Sequence, residues 1–333
     1  MDKLMYIKKA KKFTLVAKGL SASSLEDFAS KNPAKSTSGT VKETIGFGRL
    51  FEDLDSGAKF FEYVGNCHVA KIIHESRTPS KKDIDRLLHQ KKAALRRADP
   101  EIKFPRSKQI ELRKECAAEL MTNASANQTV FFVLIDLQKS VAFISVGSKA
   151  ETEKVSRFLG QAGITVEEDF FSMSIEEDLT NLLDNPESLA DGWELGKAST
   201  LANLTEKSKV SYSSQDLASE ELHVNTEKQK LAVDVEFVLK ESFRLRINVN
   251  QAITNIKFLQ REPPEWLEYN SEKGEGGEEV DALRLNWEYD IFVVKALFDA
   301  VSELFDNIGN SSINESKYTE ADLEFDKAES IAN

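Results

Sequence analysis

Two cysteines and seven prolines are all that 333 residues contain of either type, and the scarcity narrows the classes open to the chain. Cys67 and Cys116 cannot build a disulfide framework, and so few thiols point to a reducing compartment. The neighbours Cys67 and His68 do not make a metal site. Adjacent residues on a strand face opposite ways, and no second Cys or His pair has ligand spacing. No apolar run approaches the roughly 20 residues that span a bilayer. Met1-Asp2-Lys3-Leu4-Met5-Tyr6 lacks the apolar core of a secretion signal. A cytoplasmic protein without a membrane partner is therefore expected. A Gly-x-x-x-x-Gly-Lys phosphate loop is also missing, so ATP hydrolysis has no motif to support it.

What is present is charge, unevenly placed. The net charge of −12 conceals two opposite halves. Residues 1–160 hold 29 Lys and Arg against 19 Asp and Glu, a balance of +10; residues 161–333 hold 15 against 37, a balance of −22. Screening confines each charge to about 8 Å at physiological salt, so the local balance and not the total decides where a polyanion docks. With 41% hydrophobic residues the chain can bury the cores of two or three compact units.

Short strands are predicted near 11–18, 59–64, 66–72, 129–136, 140–146, 230–239, 242–249 and 252–260. Between them lie helices near 25–30, 80–97 and 106–121, and another opened by Ser148-Lys149-Ala150-Glu151, a capping-box pattern. That helix carries Val155, Phe158, Leu159 and Ala162 at helical spacing. A last helix over about 289–308 places Val293, Leu297, Ala300, Leu304 and Ile308 on one face and stops at Gly309. The whole reads as α+β with antiparallel sheets. Four regions are expected: 1–75, a mixed segment; 76–165, basic helices with a hairpin and a helix; 166–309, an acidic region with an exposed loop at 262–281; and 310–333, an acidic, unordered tail.

The helix at 80–97 is the most informative element. Ser80 caps it, Asp83 sits in its first turn and Pro79 sets its start. At about 100° per residue Lys82, Arg86, His89 and Arg97 form one stripe, which Lys81, Lys92 and Arg96 widen; Ile84, Leu87, Leu88, Ala94 and Leu95 lie opposite. Lys91 falls on the apolar side. Lys103, Arg106, Lys108, Arg113 and Lys114 continue the positive stretch, and residues 71–115 hold 14 basic against 7 acidic residues. A row of flexible cations binds duplex DNA through phosphates without reading bases. By itself the stripe does not separate such a face from one that is merely solvated.

Other groups carry less. Glu167-Glu168-Asp169 and Glu176-Glu177-Asp178 resemble metal-nuclease carboxylates, but contiguous acids more often serve a helix terminus, and no Lys or His converges on them. No catalytic residue, metal or cofactor is expected. Phe131-Phe132 and Phe170-Phe171 read as core, and Trp266 as an exposed aromatic.

The order of short motifs resembles that of the bacterial recombination-associated protein RdgC family over roughly residues 1–309. Glu75-Ser76-Arg77-Thr78-Pro79-Ser80 leads into the basic helix. Leu134-Ile135-Asp136, the strand to Val146 and Ser148-Lys149-Ala150-Glu151 are similar to the family's central hairpin and helix. Gln215-Asp216-Leu217 with Glu220-Glu221, Leu231-Ala232-Val233-Asp234, Ile256-Lys257-Phe258 and Asp290-Ile291-Phe292 follow in family order. The resemblance implies an elongated or horseshoe-shaped protomer and a ring-like homodimer that encircles or clamps double-stranded DNA. It implies sequence-independent binding that restrains a recombinase or nuclease, a nucleoid location, and a DNA contact at Gln215. Two departures stand out. Leu120-Met121-Thr122-Asn123-Ala124-Ser125 occupies the place of the family's Leu-Leu-Pro-Arg-Ala-Phe, removing the aromatic of the dimer gate. Ser213 and Ser214, in place of basic residues, precede Gln215. A rival reading makes the acidic half a DNA mimic that occupies a nuclease or recombinase.

Overall fold

A computed structural model of the chain describes residues 7–16, 19–37, 41–52, 57–121, 124–203, 205, 207–217, 219–240, 242–259 and 279–315. The elements begin with β1 (Lys11–Leu15), α1 (Ala22–Lys31), β2 (Glu43–Gly48), β3 (Glu62–Val64), β4 (Cys67–Arg77), α2 (Lys81–Ala98), α3 (Arg106–Met121), β5 (Ala126–Asp136) and β6 (Val141–Ile144). They continue with α4 (Lys149–Gln161), β7 (Val166–Glu168), α5 (Ile175–Asp184), β8 (Trp193–Asn203) and β9 (Ser208–Ser213). The chain completes its fold with α6 (Glu220–Glu227), β10 (Leu231–Leu239), β11 (Phe243–Asn248), β12 (Ile253–Phe258) and α7 (Glu279–Glu315). The class is α+β with antiparallel strand pairing, as the alternation of short strands and helices predicts.

Two compact units emerge. One comprises Leu15–Ser140 and Lys154–Val166. Its centre is β4, which pairs with β2, β3 and β5, all antiparallel. Phe47 of β2 is the hub of the core beneath: its ring meets Phe61 at 5.5 Å and Phe158 of α4 at 5.0 Å between centroids. Val155, Phe158, Leu159 and Ala162 are all buried, as their spacing predicts. After α4, Gly163 adopts φ +95°. Gly163 N–H donates to the Gly160 carbonyl and Ile164 N–H to the Leu159 carbonyl, a left-handed turn that glycine adopts without strain.

The other unit comprises Met1–Thr14, Val141–Glu153 and Glu167–Asn333. It holds β1 paired with β6, with β7 beside β1, and a five-stranded sheet of order β12-β11-β10-β8-β9. The reciprocal cap opening α4 forms here: Ser148 N–H donates to Glu151 Oε2 and Glu151 N–H to Ser148 Oγ, each at 3.3 Å. Helix α7 packs through Phe298 on Phe143 (5.3 Å) and Phe305 on Phe171 (4.9 Å).

Several expectations are corrected. The last helix begins at Glu279 and passes Gly309 to Glu315. A glycine costs a helix only about 1 kcal/mol, too little to end one anchored by buried Val301, Leu304 and Phe305 one turn earlier. The first residues of the expected acidic tail are thus helical; 316–333, Trp266 and the expected loop up to residue 278 lie outside the described residues. Strands β8 and β9 are additions. Between Val235↔Ser199 and Phe237↔Leu195 the pairing passes over two more residues of β8 than of β10, which interrupts the two-residue period that reveals a strand. Phe170 is exposed and not core, and Lys11 Nζ lies 5.3 Å from its ring centroid.

Candidate nucleic-acid interface

Strands β4 and β5 run together from His68↔Ile135 to Arg77↔Ala126. The chain leaves β4, makes α2 and α3, and returns into β5, so the two helices connect neighbouring antiparallel strands at one end of the pair. The first five residues of β5, Ala126 to Val130, are exposed on both faces. Ser80 Oγ accepts from Asp83 N–H at 3.2 Å and caps α2, as its sequence predicts. At the far end Asp99 N–H bonds the Leu95 carbonyl.

Only Ile84 of α2 is buried. Leu87, Leu88 and Leu95 are half-buried and Ala94 is exposed, so the face read as apolar is only partly covered. In α3 Leu112 and Cys116 are buried. Three ion pairs occupy this hairpin: Arg86 to Asp83 (3.2 Å), Lys91 to Glu119 (2.7 Å) and Arg113 to Asp85 (2.7 Å). The last two join α2 to α3. Hydrogen bonding to Glu119 holds the Lys91 ammonium above the ordinary lysine range, with the Glu119 charge adding to it. This explains a lysine on the inward side of α2.

The structure therefore sorts the expected cations. Lys81, Lys82, His89 and Arg97 are exposed, and among the described residues none of them is ion-paired. Arg86 is exposed but engaged with Asp83. Lys92 is half-buried and donates to Gln109 Oε1 at 2.9 Å. Arg96 is exposed beside Phe104. Gln215 belongs to the other unit, where it is exposed after β9 and donates its backbone N–H to the Lys197 carbonyl at 3.2 Å. Of the altered gate segment, Thr122 and Asn123 lie outside the described residues.

Phe104, Lys108 and Gln109 organise the corner between the helices. Gln109 Nε2 donates to the Phe104 carbonyl at 2.8 Å, and Lys92, Arg96 and Lys108 gather around the Phe104 ring. Lys103-Phe104-Pro105-Arg106, an aromatic between cations ahead of a helix, is the signal in sequence that marks this corner.

Part of each acidic run is held by a partner, and two lysines do converge on the first. Glu168 pairs with the buried Lys11, and Asp169 with Lys12 at 2.9 Å. Asp178 accepts from Ser172 Oγ at 2.6 Å, and Glu176, Glu177 and Asp178 fill the first turn of α5, where the helix dipole favours them. Among the described residues no three His, Cys, Asp or Glu side chains gather as a metal-ligand set. Cys67 is buried and His68 half-buried on the opposite face, with burial pushing the imidazole below its ordinary value.

A cavity of about 290 Å³ lies in the same unit as the hairpin, lined among others by Lys35, Arg49, Phe60, Glu75 and Gln128. Glu75 is committed there: it accepts from Thr37 N–H at 2.6 Å and from the Thr37 hydroxyl at 2.5 Å, which lowers its carboxyl from the ordinary value. No described helix is long and apolar enough to cross a membrane.

The family model described as "RdgC: Putative exonuclease, RdgC" matches residues 5–291 of the 333. No curated protein matches the chain.

Proposed function

The chain belongs to the RdgC family, and from that premise we propose that it is a non-enzymatic protein that binds double-stranded DNA through its phosphates, without sequence preference. Membership associates it with DNA recombination. The supporting observation is the row of exposed Lys81, Lys82 and Arg97 on α2, none of them ion-paired among the described residues, with His89 exposed beside them. On this reading Arg86, Lys92 and Arg96 complete the phosphate contacts, and Gln215 supplies one from the other unit. Flexible cations on a helix face meet the backbone of any duplex alike, since phosphates carry no base identity.

The reading extends to a homodimer that encircles the duplex as a nucleoid-associated ring and restrains a recombinase or nuclease. A titration of salt against binding, on linear and circular duplexes of unrelated sequence, tests it beside sedimentation of the free protein. Affinity is expected to fall linearly with log salt concentration and to ignore sequence; a dimer that loads on linear but poorly on circular DNA supports a closed ring. Affinity indifferent to salt overturns the reading.

The family description names an exonuclease, and the same duplexes, end-labelled, decide between binding and cleavage. They are expected to stay intact with magnesium; degradation abolished by chelator assigns the chain to nucleases. The acidic half, with its balance of −22, supports the other alternative, a mimic of DNA. Capture of a basic enzyme together with no DNA binding at low salt identifies that role.

A further inference from the structure

Where α2 meets α3, three cations converge on one ring. Lys92 Nζ, Arg96 Cζ and Lys108 Nζ lie 5.7, 5.5 and 5.9 Å from the Phe104 centroid. Elsewhere on the hairpin three cations are each ion-paired, in Arg86–Asp83, Lys91–Glu119 and Arg113–Asp85. At the corner they do not. Among the described residues no carboxylate pairs with Lys92, Arg96 or Lys108, although Asp99 and Glu101 lie in the same connection. The Asp99 carboxylate is turned to the Glu101 N–H at 3.1 Å instead.

The ring's negative face offsets part of the repulsion among the three cations. Gln109 contributes a neutral dipole: its Oε1 accepts from Lys92 while its Nε2 holds the Phe104 carbonyl. These contacts gather three cations around the Phe104 ring, and among the described residues no ion pair offsets their charge. Lys103 and Arg106, both exposed, add to the same sign on either side of Phe104.

We propose that this corner is a seat for one phosphate monoester. A phosphodiester brings a single negative charge, which leaves most of the cluster unbalanced. A monoester brings close to two charges near neutral pH, with three terminal oxygens that can each accept from one of the three donors. The group can come from a free nucleotide or from the phosphorylated terminus of a DNA strand. The proposal deepens the DNA-binding reading by placing a second kind of phosphate contact on the same hairpin, and it stands or falls by a different measurement.

That measurement is a phosphorus NMR titration of the full chain with methyl phosphate and, separately, dimethyl phosphate. Methyl phosphate is expected to bind saturably and at least about tenfold more tightly, a preference that follows the extra charge. The double variant Arg96→Gln/Lys108→Gln is expected to lose this binding while its circular dichroism and Tm stay close to those of the parent. Lys82→Gln, outside the corner, is expected to keep it. Parallel titrations with adenosine monophosphate and with duplexes carrying or lacking a 5′ phosphate separate the two sources. Equal binding of the two methyl esters, or undiminished methyl phosphate binding by the double variant, overturns the proposal. If the corner binds methyl phosphate but duplex affinity ignores salt, the seat stands and the duplex reading fails; the reverse result separates them the other way.

Discussion

Lys91 Nζ lies 2.7 Å from Glu119 Oε2, and this contact ties the inward side of α2 to α3. It withdraws one lysine from the pool of cations that the sequence offers to a polyanion. Lys82 and Arg97, with no ion pair among the described residues, remain in that pool.

The first prediction follows from that division. Lys82→Gln and Arg97→Gln should each reduce the slope of log affinity against log salt by about 0.9, the value of one lost phosphate contact. Lys91→Gln should leave the slope unchanged and lower Tm by no more than about 3 °C. Anisotropy titrations across a salt series and a thermal melt read both effects; a Lys91 variant that lowers the slope refutes the sorting of cations.

A second prediction concerns acid. Glu43 Oε1 accepts from Lys154 Nζ at 2.5 Å and lies 2.7 Å from His74 Nε2. The Lys154 contact first, then His74, outweigh a burial effect of opposite sign and hold the Glu43 carboxyl below its ordinary 4.5. A depressed carboxyl stabilises the fold fully above its unfolded value and loses that contribution as pH falls through the folded one. Glu43→Gln should therefore lower Tm by a few degrees at most at pH 7, because solvent screens the half-exposed group. The difference from the parent should shrink below about pH 4.5. A gap that does not narrow at all between pH 7 and pH 3 removes the ion pair as its cause.

Phe47 is 1% exposed and meets two other rings. Phe47→Ala should cost about 3–5 kcal/mol, the cost of a large ring removed from a packed core. Urea unfolding monitored by circular dichroism measures it. A loss below about 1 kcal/mol is too small for a buried ring and denies Phe47 its place as the hub.

Two glycines three residues apart should respond with opposite signs. Gly163 has φ +95°, and an added Cβ comes within 3.0 Å of the Phe28 ring; Gly163→Ala should destabilise by about 1–2 kcal/mol. Gly160 is helical and an added Cβ there meets nothing within 4 Å, so Gly160→Ala should stabilise by about 0.4–1 kcal/mol. Paired urea midpoints compare them, and two shifts of the same sign contradict the turn described after α4.

Local patterns were readable where one element alone supplies the signal. Ser80 and the Ser148/Glu151 pair cap the helices they precede, because capping involves residues only three apart. Val155, Phe158, Leu159 and Ala162 reach the core because helical spacing places them on one side. Signals that depend on a second element were less legible. Bulges against β10 obscured β8, and the glycine at 309 carried no information about the packing that sustains α7. Phe170 looked like core beside Phe171, yet Phe170 is exposed while Phe171 meets Phe305 of α7.

The basic stripe shows the same boundary. Sequence by itself determined which side chains share a face of α2, because the angle between residues about one helix axis is set by the backbone alone. Only the tertiary structure decided which of those charges are spoken for. Whether Lys91 finds Glu119, or Lys92 finds Gln109 and the Phe104 ring, depends on where α3 returns against α2. An ion pair or a cation over a ring requires contact within a few ångströms, and no period within a single helix encodes the position of another.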